Sequence, residues 1–171
     1  MATESITRQC LNRFFDIDAY GVRVRLGSNS ELIENAIRDM LRRLYGERLT
    51  VLEAENTDAF ELHFGIAEAD GKYFYFENDK PAGSLENLDD LIGYLDAHLR
   101  IAVGEHAKQH VFIHAGVVGI GERAVVIPGF SRSGKTTLVK ELIKNGADYF
   151  SYEYAVIDAA GLCHPFPRAL G

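Results

Sequence analysis

The sequence predicts an α/β protein whose N-terminal part is α+β, and three observations carry that expectation. Between residues 19 and 108 the apolar residues change from alternation to helical spacing and back, as they do where strands and amphipathic helices take turns. From residue 124 a short apolar run, a glycine-bearing loop and another helical pattern follow in direct succession. The 171 residues are 47% hydrophobic and 25% charged, without an internal repeat or a low-complexity linker, as in a globular chain of one domain or one with a small appendage. The natural division is a small α+β region, residues 1–108, and a segment built around the glycine-bearing loop, residues 109–171.

Residues 1–18 carry no motif. Ala19–Leu26 alternates Tyr20, Val22, Val24 and Leu26 with Gly21, Arg23 and Arg25, which predicts a half-buried strand. Gly27 ends it, and Ser28-Asn29-Ser30-Glu31 has the capping-box form, with Ser28 as the N-cap of a helix. Along that helix Leu32, Ile33, Ala36, Ile37, Met40, Leu41 and Leu44 form one apolar stripe, and Gly46 stops it. From Leu49 the period returns to two through Phe60, Leu62, Phe64 and Ile66; Asp70-Gly71 then leads to Tyr73–Phe76, a hairpin pattern. Lys80-Pro81-Ala82-Gly83 reads as a connector, after which Ser84 caps a second helix with Leu85, Leu88, Leu91, Ile92, Leu95, Leu99 and Ile101 or Ala102 inward. His106 and His110 fall at its end. The β-branched run from Val111 puts His114 on a strand, so His106, His110 and His114 do not share a metal-binding helix face. A second strand follows Gly121-Glu122.

The stretch after that strand, Gly129-Phe130-Ser131-Arg132-Ser133-Gly134-Lys135-Thr136, has the spacing of a phosphate-binding loop. Glycines let the backbone turn until successive N–H groups face one anion, and the helix marked by Leu138, Val139, Leu142 and Ile143 adds its positive end. Gly129, Ser131, Arg132, Ser133, Gly134 and Thr137 are the expected loop contacts; Lys135 would reach the outer phosphates, and Thr136 would offer its hydroxyl to magnesium.

His114-Ala115-Gly116-Val117, this loop, Lys144-Asn145-Gly146-Ala147, Tyr149–Asp158 and Pro165-Phe166-Pro167-Arg168 together resemble the HPr kinase-related P-loop proteins. That group includes HPr kinase/phosphorylase and peptide-precursor kinases, and shares its nucleotide-binding core with phosphoenolpyruvate carboxykinase. The resemblance spans about residues 110–170. It implies ATP and Mg2+ as cofactors, with pyrophosphate an open alternative donor, and transfer to a serine or other hydroxyl of a protein or peptide. His114, Lys135 and Glu153 are then the catalytic candidates, with Thr136 and Glu153 at the metal.

Two departures qualify what the resemblance implies. Where the group has an acidic pair, this chain has Ser151-Tyr152-Glu153, and an ordinary phenol, with a pKa of about 10, does not replace a carboxylate at neutral pH. The alternative is therefore a catalytically silent nucleotide-binding or interaction subunit. After Arg168 only Ala169, Leu170 and Gly171 follow, where the group carries a further stretch, so the P-loop core reads as incomplete at its C-terminal end. A homo-oligomer or completion by a partner is the corresponding expectation. The net charge of −7 disfavours nucleic acid and anionic membranes as partners. Cys10 and Cys163 lack metal-ligand spacing, and no signal-like or membrane-length apolar segment stands out, which points to a cytoplasmic setting.

Overall fold

The computed structural model describes residues 8–45, 50–52, 60–130 and 132–166. The chain forms two compact units, one from Met1–Arg42 with Gly46–His106, the other from Arg43–Tyr45 with Ala107–Gly171.

In the first unit the strands are β1 (Arg13–Ala19), β2 (Val22–Ser28), β3 (Thr50–Leu52), β4 (Leu62–Ala69), β5 (Lys72–Glu77) and β6 (Lys80–Leu85). Helix α1 (Glu31–Tyr45) follows β2, and α2 (Leu88–His106) follows β6. The sheet order is β3-β1-β2-β4-β5-β6. Among the described strands of this sheet only β2 and β4 pair in parallel, with α1 between them in the chain; the other pairs are antiparallel. Val22, Val24, Leu26, Phe64, Ile66 and Tyr75 are fully buried. The Arg38 guanidinium of α1 lies 3.9 Å over the Phe15 ring and Tyr94 of α2 meets Tyr75 edge-on at 5.1 Å, so both helices cover one face. On the other face Leu11 lies across Gly65, where a Cβ would come within 2.5 Å of it.

Several sequence expectations change here. Residues 13–19 are a strand: Phe15, Ile17 and Ala19 are buried, and Asp16 is held by a two-pronged ion pair to Arg25 directly opposite, both bonds 2.8 Å. The strand expected over Ala19–Leu26 is the second arm of this hairpin, turned by Tyr20 and Gly21, both with positive φ. Gly27 and Ser28 belong to β2, so Ser28 is not a cap; Ser30 is, its Oγ accepting the Ile33 N–H at 3.3 Å. The expected connector at Lys80–Gly83 is instead edge strand β6, whose proline and lysine suit an exposed edge. Ser84 and Leu85 lie in it, and Asn87 caps α2 through the Asp89 N–H at 2.8 Å. Ile101 is half exposed and Ala102 turns inward. The Asp70-Gly71 hairpin forms as expected. Gly46 and Leu49 lie outside the described residues.

The second unit contains β7 (His110–Ile120), β8 (Arg123–Pro128), α3 (Lys135–Lys144), β9 (Asp148–Ser151), β10 (Tyr154–Asp158) and β11 (Cys163–His164). His110 opens β7 rather than ending α2, whereas His106 is the last residue of that helix. Long β7 is the sheet's axis: β8 pairs along one edge, and β9 and β10 share the other. Helix α3 ends in a two-bond glycine cap, Gly146 N–H to Ile143 O at 3.0 Å and Ala147 N–H to Leu142 O at 3.1 Å, with Gly146 at φ 92°. Val139 of α3 is fully buried against β7 at Gly116, where a Cβ would meet Val139 Cγ2 at 2.7 Å. Glycine there lets the helix sit directly on the strand.

Candidate functional site

The loop between β8 and α3 closes on itself. A Cβ on Gly129 would stand 2.7 Å from Ser133 Oγ, so a side chain there would have to turn the Ser133 hydroxyl aside. Arg132 and Gly134 take left-handed backbone conformations, φ 65° and 89°. Gly134 is the N-cap of α3 and brings no side-chain oxygen, which leaves first-turn N–H groups without a side-chain cap. Lys135 is 9% exposed, and its ammonium donates to Gly129 O at 2.6 Å and Phe130 O at 2.8 Å. An ammonium has three donors, so this fold-back uses two of them.

Across from the loop, β9 and β10 follow β7 in nearly continuous register, broken at Tyr152-Glu153. The buried Ser151 hydroxyl accepts the N–H groups of Glu153 and Tyr154, both at 3.1 Å, and Ala115 N–H donates to Glu153 O at 3.1 Å. This hydrogen-bonded kink carries Tyr152 and Glu153 beside His114, which pairs with Tyr154 across the strands.

The two sides enclose a cleft of about 390 Å3 lined by His114, Arg132, Gly134, Lys135, Thr136, Thr137, Tyr152 and Glu153. Seven of these residues are sequence candidates; Tyr152, noted only for lacking a carboxylate, is also a wall of the cleft. Gly129 and Ser133 shape the loop without lining it, and Ser131 lies outside the described residues. The cleft thus sets two cations, Arg132 and Lys135, threonine hydroxyls and a helix N-terminus against an imidazole, a phenol and a carboxylate. Among the described residues no three His, Cys, Asp or Glu side chains are grouped to hold a metal ion by themselves.

Farther along β7, His164 Nε2 contacts Asp158 Oδ2 at 2.8 Å, and the His110 ring meets His164 edge-on at 5.2 Å. The His164 hydrogen bond, followed by the Leu162 and Ala160 N–H groups, holds Asp158 below the ordinary carboxylate range. Burial pushes the neighbouring Cys163 thiol up, and both Cys10 and Cys163 are free.

Among the described residues, then, the fold is of the α+β class: two sheets and three α-helices. Comparison with known families, curated proteins and solved structures finds no match to the chain. None of the described helices is long and apolar enough to cross a membrane.

Proposed function

We propose that the chain is an HPr kinase-like phosphotransferase that binds ATP with magnesium and passes the γ-phosphate to a serine or other hydroxyl of a protein or peptide. The observation that supports this reading is that Lys135, Thr136, His114 and Glu153 line one cleft. The loop and first-turn N–H groups would receive the phosphate oxygens. Lys135 would exchange its bonds to the Gly129 and Phe130 carbonyls for charge-assisted ones to the outer phosphates. Glu153 would take the acceptor's proton, and His114 would stand beside the transferring group.

Magnesium usually keeps several waters and takes only one or two protein oxygens beside the phosphates, so the Thr136 hydroxyl and the Glu153 carboxylate on one cleft suit it. Bound there, it would neutralise charge across the phosphates. Self-association, or completion by a partner, belongs to the same proposal; a monomeric mass across a wide concentration range in light scattering would count against it.

Tyr152 beside Glu153 favours a second reading, a catalytically silent nucleotide-binding or interaction subunit. Turnover of γ-labelled ATP separates the two. The kinase reading expects steady turnover by the natural chain; turnover seen only in Tyr152→Asp would establish the silent one.

A further inference from the structure

We infer that Tyr152 is this protein's own phosphoryl acceptor: the phenol of the kink between β9 and β10 takes one phosphate, within its own chain, from ATP held by the loop. The inference rests on the nucleotide reading above and adds an acceptor to it. In-line transfer requires the attacking oxygen to approach the γ-phosphorus opposite the leaving group. Thr136 and Thr137 sit on the first turn of α3, beside the phosphates they would cradle, and so are poorly placed for such an approach. The opposite wall consists of His114, Tyr152 and Glu153, and Tyr152 carries its only hydroxyl.

The backbone flanking Tyr152 is held by three hydrogen bonds, two from the Glu153 and Tyr154 N–H groups to the buried Ser151 hydroxyl and one from Ala115 to Glu153 O. That rigidity suits an acceptor, because alignment supplies much of the barrier reduction in a transfer with little covalent chemistry for the protein to do. A phenol is a poor base at neutral pH, yet as a nucleophile it need only lose its proton as the new bond forms. The phenolic oxygen bonds to the γ-phosphorus, and the bond from phosphorus to the β,γ-bridging oxygen breaks. ADP leaves with that electron pair, and the phenolic proton passes to the adjacent Glu153 carboxylate. The phosphotyrosine then faces Lys135 and Arg132, and because Tyr152 has one hydroxyl this acceptor takes one phosphate per chain.

The test incubates the full chain with γ-labelled ATP and magnesium and follows intact mass, the labelled peptide and the rate at several protein concentrations. ATP binding is measured by calorimetry on the same preparation. The expected result is one phosphoryl group per chain, mapped to Tyr152 in the natural protein and stable to acid, with a first-order rate independent of protein concentration. Label should fall at least tenfold in Lys135→Ala and vanish from this position in Tyr152→Phe. Bound ATP without incorporation, acid-labile label on His114, label elsewhere, or a rate proportional to concentration would overturn the inference and leave nucleotide binding standing. Absence of ATP binding would overturn both.

Discussion

Replacing Gly116 by alanine probes the contact that brings the two sides of the cleft together. The added Cβ would stand 2.7 Å from Val139 Cγ2, against about 3.5–4.0 Å for carbon atoms in ordinary contact, so α3 must retreat by roughly 1 Å. Val139 is fully buried, and overpacking of this kind costs about 1–3 kcal/mol. Because Lys135 is the first residue of the same helix, the retreat also widens the cleft. A misplacement of about 1 Å can cost on the order of a hundredfold in a reaction that depends on alignment. Urea denaturation should show a lower midpoint with unchanged slope, and label incorporation should slow by about that factor. Val139→Ala removes the clashing methyl at a cost of about 2 kcal/mol by itself. Combined with Gly116→Ala it should cost at least about 0.5 kcal/mol less than the sum of the two changes. A Gly116→Ala protein with the natural midpoint and rate, or strict additivity in the pair, would refute this packing.

Three further expectations concern the scaffold. Ser30→Ala removes the cap of α1 and should lower stability by about 1 kcal/mol in urea, whereas Ser28→Ala leaves that cap in place; an unchanged midpoint in Ser30→Ala would contradict the cap assignment. Gly71→Ala forces a side chain into φ 72° at the β4–β5 turn and should cost about 1 kcal/mol by the same measurement, with no loss if the turn takes another form. Glu34, lowered chiefly by its hydrogen bond from Arg13, and Asp158, lowered chiefly by that from His164, have folded pKa values below their unfolded ones. Their stabilisation is therefore fully present above the unfolded carboxylate values, about pH 4, and is lost as pH falls through the lower folded ones. Urea midpoints should drop in that acid range and drop less steeply in Asp158→Asn; identical pH profiles would show that the His164 pair contributes nothing.

Legibility in the sequence follows the physics of each element. Helix α1 was readable because Ile33, Ile37, Met40, Leu41 and Leu44 form one buried stripe, although Leu32, expected in it, is exposed, and the β4–β5 hairpin because its Asp-Gly turn separates two alternating runs. Strand β1 was hidden by Asp16 and Asp18: the alternation of Phe15, Ile17 and Ala19 was present, but a carboxylate within a half-buried sheet makes sense only once Arg25 is opposite it. Strand β6 was hidden because an exposed edge tolerates Lys80, Pro81 and Gly83, the same residues that mark a turn. Its start is set by Asn78 and Asp79, both with positive φ, a signal a dipeptide reading could have used.

In the site, the loop residues were legible because their spacing is local. The place of His114, Tyr152 and Glu153 opposite them depends on the register of β7 with β9 and β10 and on the contact at Gly116. Neither is a local property of the sequence. In sequence Tyr152 shows only as the absence of an acid, whereas its place on the cleft wall depends on the fold.

The most direct test of the central claim is a calorimetric titration of the full chain with ATP and magnesium, repeated with Lys135→Ala. Nucleotide binding in this cleft predicts saturable binding by the natural chain, one nucleotide per chain. Loss of the lysine should weaken it by about 1.5–3 kcal/mol, roughly tenfold to a hundredfold. No binding by the natural chain, or equal binding by Lys135→Ala, would contradict it.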